Sequence, residues 1–215
     1  MKEKYLKSVA MSGLFKYLDE TCFEQAWQEL SMAPHKYSSQ QIIYGQDDIV
    51  KRVGIVHSGL VKGERLHVEG TSSLAYYYAK GEIFAFEGAL SGKRTSPLQI
   101  TADDVTEVIF FDVQKIFTST YQQHLIKGLM ELLANDDIKK LYRIEVLSKK
   151  GLRERIMTYF TMMAARNGNN TFTLNMSREQ LAKYLCVNRS ALSYELNQMK
   201  REGLIDFDKK KYVIL

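Results

Sequence analysis

The sequence has few of the residues that break or staple a chain. Two prolines, Pro34 and Pro97, and two cysteines, Cys22 and Cys186, stand among 215 residues. The cysteines lie far apart and form no Cys-x-x-Cys pair, which excludes a disulfide framework and a zinc ribbon. No run of about 18 apolar residues occurs, so no spanning helix is expected. Behind Met1-Lys2-Glu3-Lys4 there is no apolar stretch of the kind a secretory signal carries. These absences describe a soluble protein, expected in the cytoplasm and away from membranes. Catalytic signatures are missing too. No P-loop or Ser–His–Asp pattern stands out, and the His-x-His…Glu…His set of a cupin metalloenzyme is not found around His57 and His67. The expectation is a protein that is not an enzyme and carries no catalytic residue, no metal and no cofactor.

What is present is enough for a core, because 45% of residues are apolar and 26% are charged. The charge is unevenly placed. Residues 1–150 hold 19 Lys+Arg and 19 Asp+Glu, whereas residues 151–215 hold 11 and 6, so the whole net charge of +5 lies in the last 65 residues. A basic C-terminal part suggests a polyanion partner.

Glycine does most of the punctuation. Eight of the 13 glycines fall between Gly45 and Gly92. Short runs rich in β-branched and aromatic residues lie between them: Ile49-Val50 with Val53, Ile55-Val56, and Leu74-Ala75-Tyr76-Tyr77-Tyr78. That spacing predicts an all-β sandwich or barrel, with Val105–Phe111 as its last strand. Residues 3–33 have helical spacing and are expected to pack on it. From Val113 to Lys150 the pattern is that of one long helix, with Ile126, Leu129, Leu133, Leu141, Ile144 and Ser148 near one stripe. A second copy of the chain is the simplest partner for such a stripe, so a homodimer is expected.

The last 65 residues read as a separate unit. Leu152–Arg166 is amphipathic, and Thr171–Leu174 suits a short strand. Ser177-Arg178-Glu179-Gln180 is a capping box that opens a short helix. Asn188 is an N-cap for a second helix, Arg189 to about Arg201, and Gly203 follows as a left-handed cap. Leu181, Leu185, Val187, Leu192, Leu196 and Met199 are expected to face inward, and Cys186 is read as a small buried thiol in the turn. Helix, tight turn and second helix form the helix-turn-helix layout, whose second helix enters the DNA major groove. Its exposed face offers Arg189, Ser190, Ser193, Tyr194 and Asn197 to base edges and phosphates. Residues 204–215 read as a hairpin wing whose tip, Lys209, Lys210 and Lys211, suits backbone phosphates. An RNA-binding or protein-interaction winged helix would use the same surface.

Residues 175–193, Asn-Met-Ser-Arg-Glu-Gln-Leu-Ala-Lys-Tyr-Leu-Cys-Val-Asn-Arg-Ser-Ala-Leu-Ser, and the sequel Glu195–Ile205 resemble the signature of the Crp/Fnr transcription regulators. Ser58-Gly59-Leu60-Val61-Lys62, Gly81-Glu82-Ile83-Phe84 and Phe86-Glu87 resemble that family's sensory domain. The resemblance implies an α+β fold. A jelly-roll β-barrel of the cyclic-nucleotide-binding type would span 1–112, a dimerisation helix 113–150, and a winged helix-turn-helix 151–215. It implies sequence-specific binding of double-stranded DNA at a palindromic operator, with RNA polymerase as a further partner. It also implies that Ser190, Ser193 and Tyr194 read bases, and that Arg189, with Ser177 and Arg178, touches DNA. Tyr194 departs from the arginine common at its position.

In nucleotide-binding members of the family a Glu meets the ribose, and an Arg-Ser or Arg-Ala pair about ten residues on neutralises the cyclic phosphate. Glu87 fits the first role, but Ser91-Gly92-Lys93-Arg94-Thr95-Ser96-Pro97 places its arginine early. The expected effector set is Glu87, Lys93, Arg94, Thr95 and Ser96, for a small molecule or redox signal of unknown identity other than cyclic AMP. Cys22 has no neighbouring cysteines for an iron–sulfur cluster but could act as a redox thiol. His57, His67 and His124 are isolated and carry no haem expectation.

Overall fold

The computed structural model describes residues 3–174 and 176–215. Met1 and Lys2 of the N-terminal charge run, and Asn175 at the head of the signature segment, lie outside the described residues. The chain divides into two compact units, residues 1–135 and 136–215.

The first unit opens with α1 (Glu3–Met11), a 3-10 turn and α2 (Phe23–Glu29). Eight strands follow: β1 (Ala33–Tyr37), β2 (Ile42–Tyr44), β3 (Val53–Ser58), β4 (Val61–Leu66), β5 (Ser72–Tyr78), β6 (Ile83–Phe84), β7 (Gln99–Ala102) and β8 (Thr106–Phe111). They form two four-stranded antiparallel sheets, ordered β1-β8-β3-β6 and β2-β7-β4-β5, which is the jelly-roll arrangement. All six residues of β8 and five of six in β3 are buried, since one face of that sheet lines the barrel and the other is covered by helix. The interior is filled by rings gathered on Phe110, with Phe84, Tyr37 and Tyr44 at centroid separations of 6.0–6.3 Å. Gly54 makes this possible, because a Cβ there would lie 2.3 Å from the Phe84 ring. Ile49-Val50 does not extend β3. Gly45 N–H donates to the Asp48 carboxylate at 2.7 Å in a tight turn, and Ile49 makes only an isolated bridge to Thr95.

A buried polar cluster ties α1 to this sheet. Glu107 on β8 accepts from Tyr5 at 2.9 Å and Lys4 at 2.8 Å, and His57 Nδ1 on β3 is hydrogen-bonded to the fully buried Ser8 Oγ at 2.8 Å.

The segment expected to be one helix over 113–150 is two elements. Residues Val113–Thr118 are a 3-10 turn capped by Asp112, and α4 runs Gln122–Ser148. The dimerisation stripe needs correction at its N-terminal end. Leu129 is buried in the core of its own unit, and Ile126 packs partly against the same core. Gly128 explains how: a Cβ there would lie 2.2 Å from the Leu14 carbonyl oxygen, so the backbone that follows α1 lies directly on this face. The apolar residues that α4 leaves exposed are Met130, Leu133, Ile138, Leu141, Tyr142 and Ile144.

The second unit holds α5 (Leu152–Asn167), β9 (Thr171–Thr173), α6 (Arg178–Tyr184), α7 (Arg189–Arg201), β10 (Ile205–Asp208) and β11 (Lys211–Ile214). The strands form an antiparallel sheet ordered β10-β11-β9. Phe160, Phe172 and Tyr212 meet in its core with Leu181, Leu185, Leu192, Leu196 and Met199. This is a winged helix-turn-helix. Among the described residues no helix is long and apolar enough to cross a membrane.

Candidate nucleic-acid interface

Local sequence signals build the α6–α7 pair. Ser177 Oγ accepts from Gln180 N–H at 3.1 Å while the Gln180 side chain accepts from Ser177 N–H at 2.7 Å, so two orphan donors of α6 are satisfied reciprocally. The turn closes with Val187 N–H donating to Ala182 O and Cys186 N–H to Lys183 O. Val187 is half-buried against the core, as such a cap requires, and this leaves Cys186 in the left-handed conformation (φ 56°) with its side chain outward. The expectation of a buried Cys186 thiol is therefore wrong: the residue is exposed. Asn188 caps α7, its Oδ1 accepting from Ala191 N–H at 2.7 Å and from Ser190 Oγ at 2.8 Å.

On α7, Arg189, Ser190, Tyr194 and Asn197 are exposed and Ser193 is half-buried. Tyr194 accepts a hydrogen bond from Gln198 Nε2 at 2.9 Å. Sequence reading did not single out Gln198, although its i,i+4 spacing from a tyrosine was the available signal. The two carboxylates of α7 and its C-cap do not face solvent alone. Arg153 on α5 bonds Glu195 through Nε at 2.6 Å and grips Glu202 through Nη1 at 2.5 Å and Nη2 at 2.9 Å. These bonds hold the Arg153 pKa above its ordinary value. Arg189, Arg201, Lys209, Lys210 and Lys211 have no carboxylate partner among the described residues, so the cations of this surface stay available to phosphate.

The wing is fixed by a cation on each of two elements. The Arg178 guanidinium of α6 lies 4.4 Å from the Phe207 ring centroid, and Lys200 Nζ of α7 lies 5.0 Å from it. Lys200 also pairs with Asp206, which lowers the Asp206 pKa, and donates to the Phe207 carbonyl at 3.3 Å. Lys209 and Lys210 form the hairpin turn, and the Lys211 backbone stands opposite that of Asp208 in the strand register.

The expected effector residues differ in exposure. Glu87 sits in the first turn of α3 (Phe86–Leu90), half-buried. Lys93 and Arg94 are exposed, and Arg94 lines an outer groove of about 300 Å³ with Lys51, Asp112 and Gln114. Thr95 is half-buried and carries the bridge to Ile49. Ser96 is buried, and its hydroxyl donates to Leu98 O at 2.6 Å. His57 is buried while His67 and His124 are exposed, and no group of three metal-ligating side chains forms among the described residues. Cys22 is a half-buried free thiol.

Two families match the chain: the cyclic nucleotide-binding domain over residues 34–124 and the Crp-like helix-turn-helix domain over residues 154–215. The chain is 25% identical to Electron transport regulator A of Shewanella oneidensis over 178 residues, covering 80% of this chain and 70% of that protein. It is 23% identical to the transcriptional activator FnrA of Stutzerimonas stutzeri over 225 residues, covering 100% and 90%. Among solved structures, FixK2 of Bradyrhizobium japonicum superposes with a TM-score of 0.63 at 21% identity, over 85% of this chain and 92% of that one. A CooA variant from Carboxydothermus hydrogenoformans does so with a TM-score of 0.64 at 20% identity, over 88% and 85%. The two structures carry the fold. The paired domains, in this order and with these relatives, carry the family: the chain belongs to the Crp/Fnr transcription regulators, whose helix-turn-helix domain binds DNA.

Proposed function

We propose that the chain is a sequence-specific DNA-binding regulator that acts as a homodimer, with α7 in the major groove and the Lys209–Lys211 wing on the backbone. One observation carries this reading. The exposed stripe of α7 presents arginine, hydroxyl and amide groups to solvent, while Glu195 of that helix and Glu202 at its C-cap are turned onto Arg153. The apolar residues that α4 exposes supply the twofold contact, from Met130 and Leu133 through Leu141 and Ile144. Two recognition helices held in this way would contact half-sites about 34 Å apart, which is one turn of duplex.

The β-barrel is the sensory part. Its signal is a small molecule or a redox change, and the outward exposure of Lys93 and Arg94, with the buried Ser96 hydroxyl already donating to Leu98 O, supports an effector other than a cyclic nucleotide. A phosphate monoanion buried without a guanidinium would be costly. The effector shifts the dimer between two states, and RNA polymerase is the downstream partner.

Enrichment of random duplexes by the protein, followed by titration at several salt concentrations, tests the reading. Enrichment of a two-fold symmetric sequence with a steep salt dependence is the expected result. Equal binding of single-stranded RNA, or indifference to duplex at low salt, overturns it.

A further inference from the structure

We propose that Gln198 is a positioning residue for Tyr194, fixing that phenol as a hydrogen-bond donor toward an acceptor on a base edge. The inference rests on the DNA-reading role of α7. Ser190, Tyr194 and Gln198 stand at i, i+4 and i+8, so they form one stripe along the helix. Tyr194 is 65% exposed, with its ring free of the core. Its oxygen accepts from Gln198 Nε2 at 2.9 Å, which occupies an acceptor site and leaves the phenol proton as the group Tyr194 offers outward.

Ser190 is polarised the opposite way. Its proton goes to Asn188 Oδ1 at 2.8 Å, so it offers lone pairs. The stripe therefore presents an acceptor and then a donor, one helical turn apart.

The chemistry of the major groove turns that polarity into selectivity. Guanine O6 and N7, adenine N7 and thymine O4 are acceptors there, whereas cytosine presents only its N4 amino donor. Tyr194 held as a donor accepts the first three bases at its position and rejects cytosine. An arginine at this position would prefer guanine through a two-pronged contact. The single donor of a phenol gives a broader class.

The test uses the full chain and the duplex it enriches from a random pool. Each base pair of that duplex is then varied in titrations with wild type, Tyr194→Phe, Gln198→Ala, Gln198→Glu and the double variant Tyr194→Phe/Gln198→Ala. We expect Tyr194→Phe and Gln198→Ala to lose about tenfold in discrimination against cytosine at one shared position, the scale of one hydrogen bond to a base edge. The double variant should lose no more than either single one, and thermal unfolding midpoints should stay unchanged. Gln198→Glu can only accept, so it takes the phenol proton and abolishes the preference, over and above any uniform loss from its added charge. If wild type enriches no duplex, the DNA-reading role itself fails. If an operator is found and Gln198→Ala keeps the discrimination that Tyr194→Phe loses, or loses it only together with thermal stability, the positioning role is overturned.

Discussion

Arg153 and Glu202 form a forked pair, Nη1 to Oε2 at 2.5 Å and Nη2 to Oε1 at 2.9 Å, which joins the start of α5 to the end of α7. The same guanidinium bonds Glu195 in the middle of α7. Two parallel bonds fix a planar geometry that a lysine cannot copy. The fork thus ties α5 to α7 and its C-cap and offsets two acids beside the expected DNA surface.

Loss of that offset is measurable. Arg153→Ala should weaken operator binding, most at low salt, because Glu195 and Glu202 then repel phosphate. Adding Glu195→Gln and Glu202→Gln to Arg153→Ala should restore much of the affinity, whereas Arg153→Lys should fall short of wild type. Titrations at two ionic strengths check the order. Equal affinity of Arg153→Ala and wild type at low salt is incompatible with the electrostatic role.

The two sides of α4 should respond differently to truncation. Leu141→Ala removes exposed apolar surface on each protomer of a dimer. It should weaken the dimer by about 3 kcal/mol, roughly 100-fold in dissociation constant, with the melting of each unit preserved. Leu129→Ala opens a cavity in the first unit instead, costing about 2–5 kcal/mol of its stability while leaving the seam intact. Sedimentation and thermal unfolding separate these outcomes, and a Leu141→Ala protein that dimerises like wild type removes the proposed seam.

The helix-turn-helix was legible because its signals are local. Ser177, Gln180, Asn188 and Gly203 each act within one turn of themselves, and the core spacing of Leu181, Leu185, Leu192 and Leu196 follows from 3.6 residues per turn. Glycine spacing revealed the strands but not their partners, because β3 and β8 pair across about fifty residues. On α4 apolar residues occupy both sides, and periodicity alone does not say which side its own unit takes. Leu129 went inward because Gly128 lets the Leu14 backbone close upon it. The Lys4–Glu107 contact spans 103 residues and had no local signal at all. Cys186 departs from the buried thiol expected of it because the turn's need for a left-handed residue, rather than side-chain polarity, decides its exposure.

The cluster between α1 and the barrel predicts acid sensitivity of the first unit. Burial lowers the His57 pKa from its ordinary 6.5, with Lys4 and Lys80 acting in the same direction and Glu107 opposing. A histidine held neutral contributes stability above its unfolded pKa, and that contribution is lost as pH falls below about 6.5, because the unfolded chain takes up the proton first. Hydrogen bonds from Lys4 and Tyr5 lower the Glu107 pKa, so its contribution is lost only at more acidic pH, as the pH falls from about 4.5 through the lowered folded value. The melting midpoint should therefore fall between pH 7 and 5, and His57→Gln should flatten that part of the curve while leaving the lower decline. An identical pH profile in His57→Gln removes the histidine from the account.

Substitutions on the DNA surface should separate positioning from reading. Lys210 stands in the wing turn, where a flexible ammonium would meet phosphate without regard to sequence. Lys210→Ala should weaken all duplexes about equally and lower the slope of log affinity against log salt by about 0.9 for each phosphate no longer neutralised. Ser193 lies half-buried on α7 beside the reading stripe. A carboxylate there would lie against groove edges and backbone, so Ser193→Glu should abolish operator binding with fold and dimer retained, as checked by circular dichroism and sedimentation. The informative contrast is the ratio of operator to random-duplex affinity. That ratio should hold in Lys210→Ala and collapse in Ser193→Glu, and the reverse pattern would move the reading surface from α7 to the wing.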